Sequence, residues 1–384
     1  LGIPANRRIL IIGGPTNGRF LYYNYNRTAF KPSAYLGLGG LGNFWHGIIP
    51  TGCSRHLHGP SVASFVRLVR RFYPNTDVAD RLGKPWLFVP WKPIRPKTEW
   101  RRLQAERVNT LVFVQDLVSR FELRDRSVCV YTANSRHRAS RVWICAGALH
   151  SPALLDRSLE RKISRPLVSD HVFCYLGRID RSRTDIAPPR FERTRDGVWF
   201  DGRYDDQNRA LCTLRPARFA FRQLDYGITR RSSVFRLPAS NSAGRIIRGA
   251  SFGLFAEALY NRSGMFANAR VQSVYAQVHV PDAHQFHSDC AQVAARKEII
   301  LAVVDAVRAK PPWVNMQPSR KPDIFIPSAH LHHSVDMDAL KSAGVDDPTS
   351  KVQVVDASAL SDVGPDHHSF RLMVKAFERA RALA

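Results

Sequence analysis

The chain has 384 residues, 44% of them hydrophobic, enough for a large core, and single cores stop growing at about 250–300 residues, so one composite domain or two closely joined ones are expected. Lys and Arg together number 57 against 32 acids, a formal net charge of +25. Such a field favours anionic partners, but the arginines are scattered and no compact basic block forms, so a dedicated nucleic-acid surface is not expected.

From the start of the chain, Ile9 to Ile12 form a continuous apolar run ended by Gly13, Gly14 and Pro15. That pattern predicts a buried strand of a parallel sheet and a turn. A glycine-rich loop follows from Leu36 to Gly47. It fits neither GxGxxG nor GxxxxGK[ST], and it is either a mobile or tight turn or a place where backbone N–H groups approach a ligand. Val62, Phe65, Val66, Val69 and Tyr73 recur with helical period. Residues 85–97, with four prolines, read as an irregular connection. Asn109 to Phe121 reads as a helix.

Ser127 to Thr132 and Arg141 to Ala146 read as strands. Ala146-Gly147-Ala148 ends the second, and Ser151-Pro152 is a plausible helix start. Small residues at such a turn permit close approach of a ligand to the strand end, and equally permit ordinary tight packing. Leu167 to Arg195 has little periodicity beyond Val172 to Leu176. From Asp196 to Val280 short aromatic and β-branched runs, among them Arg218 to Phe221 and Val271 to Val280, predict a largely antiparallel sheet with one wet face. Ala291 to Arg308 and Phe370 to Leu383 read as helices, and the apolar run at Val352, Val354 and Val355 as a short strand.

The six cysteines, at 53, 129, 145, 174, 212 and 290, contain no CxxC pair, so no zinc ribbon or thioredoxin-like site is expected. Cys129 and Cys145 lie in apolar runs and are expected in the core. A reducing, cytoplasmic setting is the simplest inference. No apolar run approaches about 18 residues, so no membrane span is expected.

Two histidine clusters close the chain: His330, His332 and His333, and then His367 and His368. Imidazole titrates near neutrality, so two brought together can take and return protons. His-x-His-His can also chelate a metal, but a closed site needs a further ligand. Nothing in the sequence brings His279, His284 or His287 near, so no metal is expected.

Together these segments resemble the glucose–methanol–choline family of FAD-dependent oxidoreductases. Gly39-Gly40-Leu-Gly-Asn43-Phe-Trp-His-Gly is similar to the family's glycine pair and turn that embrace the flavin. Ala146-Gly147-Ala148-Leu-His-Ser-Pro resembles its central signature, and Ser169-Asp170-His171 the Asp-His that follows. His330, seven residues before Met337, falls on the first active-site histidine. Val355-Asp356-Ala357-Ser358 matches the strand end against the cofactor, and His367, eleven residues after Asp356, falls on the second active-site position. The resemblance implies an α/β chain, α+β overall. It would hold a discontinuous Rossmann-like FAD-binding domain at 1–195 and 326–384, with a β-rich substrate-binding insert at 196–325.

It further implies His330 and His367 as catalytic residues, and Gly39, Gly40, Asn43, Ala146, Gly147, Asp356, Ala357 and His368 at the cofactor. FAD would be held non-covalently, since Phe44 stands where pyranose-type relatives attach it. The reaction implied is oxidation of a CH–OH group of a small alcohol or sugar, with the electron acceptor unassigned; Arg215, Arg218 or Arg222 of the insert are candidates to meet an anionic sugar. Three departures stand out. The family's opening GxGxxG unit is expected upstream of Leu1, Gly13 replaces the acid that binds ribose hydroxyls, and His333-Ser334 replaces Gly-Thr. Two other readings stay open: a truncated relative that no longer binds FAD, and a basic protein that binds anionic ligands.

Overall fold

A computed structural model describes residues 9–14, 18–24, 30–44, 48–50, 59–70, 86–90, 96–106, 111–180, 191–193, 197–201, 203–205, 210–216, 271–286, 293–295, 297–309, 316–318, 325–327, 330–347, 349–361, 363–364 and 368–382. The fold is α/β, with parallel strand pairs near both ends of the chain and antiparallel sheets between. His367, Arg218 and Arg222 lie outside the described residues.

Two parallel pairs frame the molecule. β1 (Ile9–Gly13) pairs with β6 (Leu111–Gln115), and β10 (Val142–Ile144) pairs with β20 (Val352–Val354). The second pair joins residues more than two hundred positions apart, so the C-terminal segment returns to the strand that precedes helix α3 (Gly147–Leu159). Leu154, Leu155, Val352 and Val354 pack there into one core with Phe121, Val128 and Leu340. β1 is less buried than its apolar run predicts: Leu10 and its cross-strand partner Val112 are 39% and 44% exposed. Among the described residues β1 and β6 form a two-stranded sheet, so one face lacks a covering layer.

The expected helix at Asn109 to Phe121 is instead β6 and β7 (Val118–Arg124). Val112, Val114 and Val118 are β-branched and favour the pleated backbone, and parallel pairing to β1 settles the matter. β7, β8 (Ser127–Thr132) and β9 (Arg136–Ala139) form an antiparallel meander. The irregular connection expected at 85–97 contains β5 (Trp86–Pro90) and the start of helix α2 (Pro96–Glu106). β5 is an inner strand of a sheet with β4 (Ile49–Pro50), β13 (Gly197–Asp201) and β12 (Phe191–Arg193). A hairpin of β2 (Arg19–Asn24) and β3 (Phe30–Leu36) leads into the glycine loop.

The largest sheet is antiparallel. Its path runs β14 (Arg203–Asp205), β15 (Ala210–Pro216), β16 (Val271–Phe286), β11 (Leu167–Asp180) and β18 (Gln317–Pro318). β17 (Val293–Ala295) adds to β16 and β19 (Phe325–Pro327) to β11. β11 is a fourteen-residue strand where little periodicity was visible. Helix α4 (Lys297–Arg308) starts later than its apolar pattern suggested and buries Ile300, Val304 and Val307 on this sheet with Val274, Val278 and Leu176. Helix α1 (Pro60–Val69) buries Val62, Phe65, Val66 and Val69, four of the five positions its period marks, Tyr73 lying outside the described residues. It packs on the C-terminal helix α6 (His368–Arg381), where Phe65 meets Phe370 edge-on at 5.5 Å between ring centroids. Helix α5 (Met337–Ser342) is capped by the Asp336 carboxylate, which accepts from the Asp338 and Ala339 N–H groups.

Candidate active site

The histidine strip 330–335 is held by main-chain bonds on both sides. His332 and Ser169 exchange N–H and C=O bonds at 3.0 Å in each direction, which ties the strip to the start of β11. His333 N–H donates to Ala357 O, and Ser334 N–H to Ser358 O, both at 3.0 Å. The strip is thus a spacer between the large sheet and the turn that follows β20. His333 takes φ +53°, a left-handed conformation in which glycine is easiest and in which Asn, Asp and His are enriched among other residues. Its ring turns out to Arg165, whose guanidinium lies 2.5 Å from Nδ1 and also donates to His333 O.

Ser334 does a different job. Pro152 lies inside α3 and has no N–H to give to Ala148 O four residues earlier. The Ser334 hydroxyl, fully buried, donates to that oxygen at 2.5 Å. Proline and serine therefore complement one another across the junction of α3 and the histidine strip. The expected helix start at Ser151-Pro152 is corrected by the same observation: the helix begins at Gly147, and Pro152 is tolerated within it because its orphaned carbonyl has a side-chain donor.

Asp356 braces the two halves of the β10–β20 end. Its Oδ2 accepts from Gly147 N–H at 2.8 Å and from the Ser151 hydroxyl at 2.5 Å. Its Oδ1 accepts from Ser358 N–H at 2.9 Å and from the Ser358 hydroxyl at 2.5 Å. Four donors occupy this nearly buried carboxylate, so Asp356 acts on a ligand through the backbone it positions. Gly147 has φ +83°, and a Cβ there would meet nothing within 4 Å; Ala146 and Cys145 beside it are exposed. Cys145 is therefore not the core thiol its apolar run suggests, whereas Cys129 is buried. Cys145 is reached by solvent yet surrounded by protein. Burial, aided by the charge of Asp356, pushes its thiol up to about 12.

Six histidines and one acid gather around the strip. His171 on β11 and His279 on β16 are cross-strand partners. Asp170 and His284 are fully buried, and His284 Nε2–H donates to Asp170 Oδ2 at 3.1 Å. Asp170 Oδ1 accepts from His330 N–H at 3.2 Å. His332 donates Nδ1–H to His330 O at 2.8 Å, which makes its Nε2 the acceptor for His279 Nε2–H, 3.1 Å away. Burial, and then the neighbouring His171, push His332 down to about 3, so it stays neutral near pH 7. His171 donates Nε2–H to Gly364 O at 2.6 Å. The half-buried His330 faces His368 with ring centroids 4.4 Å apart and planes at 83°.

The structure thus brings His330 to His368 and Asp356 to Gly147, the two groups being linked by the bond from His333 N–H to Ala357 O. Gly39, Gly40 and Asn43 belong to a turn built at the end of β1, where a Cβ on Gly14 would come within 3.3 Å of Gly37 N. Gly39 and Gly40 have φ +82° and +53°, and the Asn43 amide donates to Leu38 O and Gly40 O at 2.6 and 3.2 Å, holding the turn shut. Sequence reasoning named His279 and His284 as further ligands that nothing brought near; β16 brings both into the cluster, His279 against His332 and His284 against Asp170. The polar run Ser169-Asp170-His171 inside a strand was the available signal for a buried polar cluster.

The backbone at Ala146–Gly147, open in front and without a side chain at Gly147, fits a flat group laid against the strand end. Gly13 brings no carboxylate to the end of β1. No family model matches the chain, and no curated protein matches it. Similar solved structures include an FAD-dependent oxidoreductase from Chaetomium thermophilum, 12% identical over 75% of this chain and 64% of that one, with a TM-score of 0.37. Another is a fungal aryl-alcohol oxidase, 12% identical over 99% of this chain and 95% of that one, with a TM-score of 0.46. The chain spans about two thirds of the length of the first. Likeness at this level says nothing of what the chain acts on.

Proposed function

We propose that the chain is the flavin-binding and catalytic part of an oxidoreductase that oxidises the CH–OH group of a small alcohol or sugar. The observation that carries this reading is the approach of His330 to His368, with ring centroids 4.4 Å apart, on a strip that is bonded through His333 to the Ala357 turn next to Asp356, which itself holds Gly147. A bound FAD, held non-covalently, would supply the hydride acceptor. His330 is the proton acceptor for the substrate hydroxyl, being the half-buried ring at the edge of an otherwise buried cluster. Its backbone is fixed by Asp170, and that buried acid favours positive charge on the ring as the proton arrives. His332 stays neutral and keeps further charge out of the cluster. His367 is assigned the orienting hydrogen bond to the same oxygen. His368, which opens α6, lies against the His330 ring.

The division into 1–195, 196–325 and 326–384 goes with this proposal, β11 crossing from the first part into the sheet of the second. The test is anaerobic mixing of the flavin-loaded protein with a panel of primary alcohols and sugars while the 450 nm absorbance is followed. Bleaching by one class is expected, and His330→Ala should slow it by about 10²–10⁴ with the flavin spectrum retained. Equal bleaching rates in wild type and variant would remove His330 from the role.

A further inference from the structure

We propose that His171, His330 and His368 form a binding site for a divalent transition metal of the zinc and copper class. One ring nitrogen from each lies within 4.8 Å of the other two. The three come from separate elements: the interior of β11, the strip before α5, and the first turn of α6. The rings of His330 and His368 stand nearly perpendicular, as do those of His171 and His330, whose centroids are 5.6 Å apart at 88°. Rings so disposed can turn their edges toward one point without stacking on each other.

A second observation points the same way. Metal-binding imidazoles usually give their other N–H to a carboxylate or a backbone carbonyl, which fixes the tautomer. His171 does this: Nε2–H is bound to Gly364 O at 2.6 Å, so the lone pair is on Nδ1. The adjacent Asp170 carboxylate, fully buried, supplies negative charge beside the cluster, which offsets part of the cost of a dication there. Zinc–nitrogen bonds of about 2.0–2.1 Å place tetrahedral donors about 3.3 Å apart, so the rings would close in by rotating their side chains. Three imidazoles leave the fourth position to water or a small anion, as in open rather than closed zinc sites. Nitrogen donors select zinc, copper or nickel over magnesium or calcium.

The His330 lone pair that would bind the metal is also the one the proposed oxidation needs. Metal would therefore suppress turnover; that consequence rests on the flavin reading, while binding itself does not. The test is zinc uptake by the full chain after chelator treatment, read by equilibrium dialysis at pH 7.5 and by zinc-edge absorption fine structure, without any turnover assay. One zinc per chain with three imidazoles at about 2.0 Å is expected. His330→Gln and His368→Gln should each remove one imidazole and weaken binding at least tenfold, while His333→Gln, whose ring is engaged with Arg165, leaves both unchanged. His330 is only half-buried, so its variant carries the test if the buried one fails to fold. Unchanged affinity and imidazole count in His330→Gln, or no zinc uptake by wild type, would overturn the assignment.

Discussion

Ser334 gives a sharp prediction because its partner was orphaned by another residue. Ala148 O lacks the helical N–H that Pro152 cannot supply, and the buried Ser334 hydroxyl replaces it. Ser334→Ala leaves that carbonyl buried without a donor, a loss of about 1–3 kcal/mol. Pro152→Ala returns an N–H to the same oxygen. In the Pro152→Ala background, Ser334→Ala should therefore cost less than half as much, a coupling of about 1 kcal/mol between sites far apart in sequence. Pro152→Ala also frees the unfolded chain, by about 0.4–1 kcal/mol, but this cancels round the cycle. Guanidinium unfolding of wild type, both single variants and the double variant measures the four corners, with the slopes checked for constancy. An equal cost of Ser334→Ala in both backgrounds would show that the serine acts through packing and that Ala148 O is satisfied in some other way.

Two further outcomes follow from the same junction. Asp356→Asn replaces an acceptor facing four donors with a group that is half donor, so it should destabilise by about 3 kcal/mol; an effect under about 0.5 kcal/mol in chemical unfolding would show that the brace is dispensable. Cys145, accessible but with its thiol at about 12, stays protonated at pH 8. The lower thiolate fraction, partly offset by greater intrinsic nucleophilicity, predicts iodoacetamide alkylation slower than that of a free thiol. The rate should still be rising with pH above 10. Peptide-resolved mass spectrometry reads it, and a plateau below pH 9 would contradict the placement.

What the sequence reveals depends on how local each feature is. Helix α1 is visible because Val62, Phe65, Val66 and Val69 form one stripe and need no distant partner. β20 is visible as an apolar run. β6 and β7 are not, because Val112, Val114, Val118 and Phe121 satisfy a helical spacing as well as a β-branched strand, and the decision is made by β1 a hundred residues away. β11 is obscured for another reason. Ser169, Asp170 and His171 interrupt its apolar pattern, yet all three are buried, because their partners are the strip at His330 and His332 and the histidines of β16. The polar residues of the cluster are mutual partners, so no single stretch announces them.

That same non-locality explains why the motif at His330 is legible in part only. Spacing marks His330 as a candidate base, but treats His332 and His333 as equivalent neighbours. The backbone separates them: extended pairing with Ser169 turns His332 inward onto His279, while a left-handed φ turns His333 outward to Arg165. Burying so many imidazoles around one acid is a poor way to gain stability, since each must find a partner or lose solvation. An apolar core of the same volume would fold at least as well. A buried polar cluster with the His330 ring half-exposed at its rim is better explained by what it can bind or deprotonate than by what it contributes to the fold.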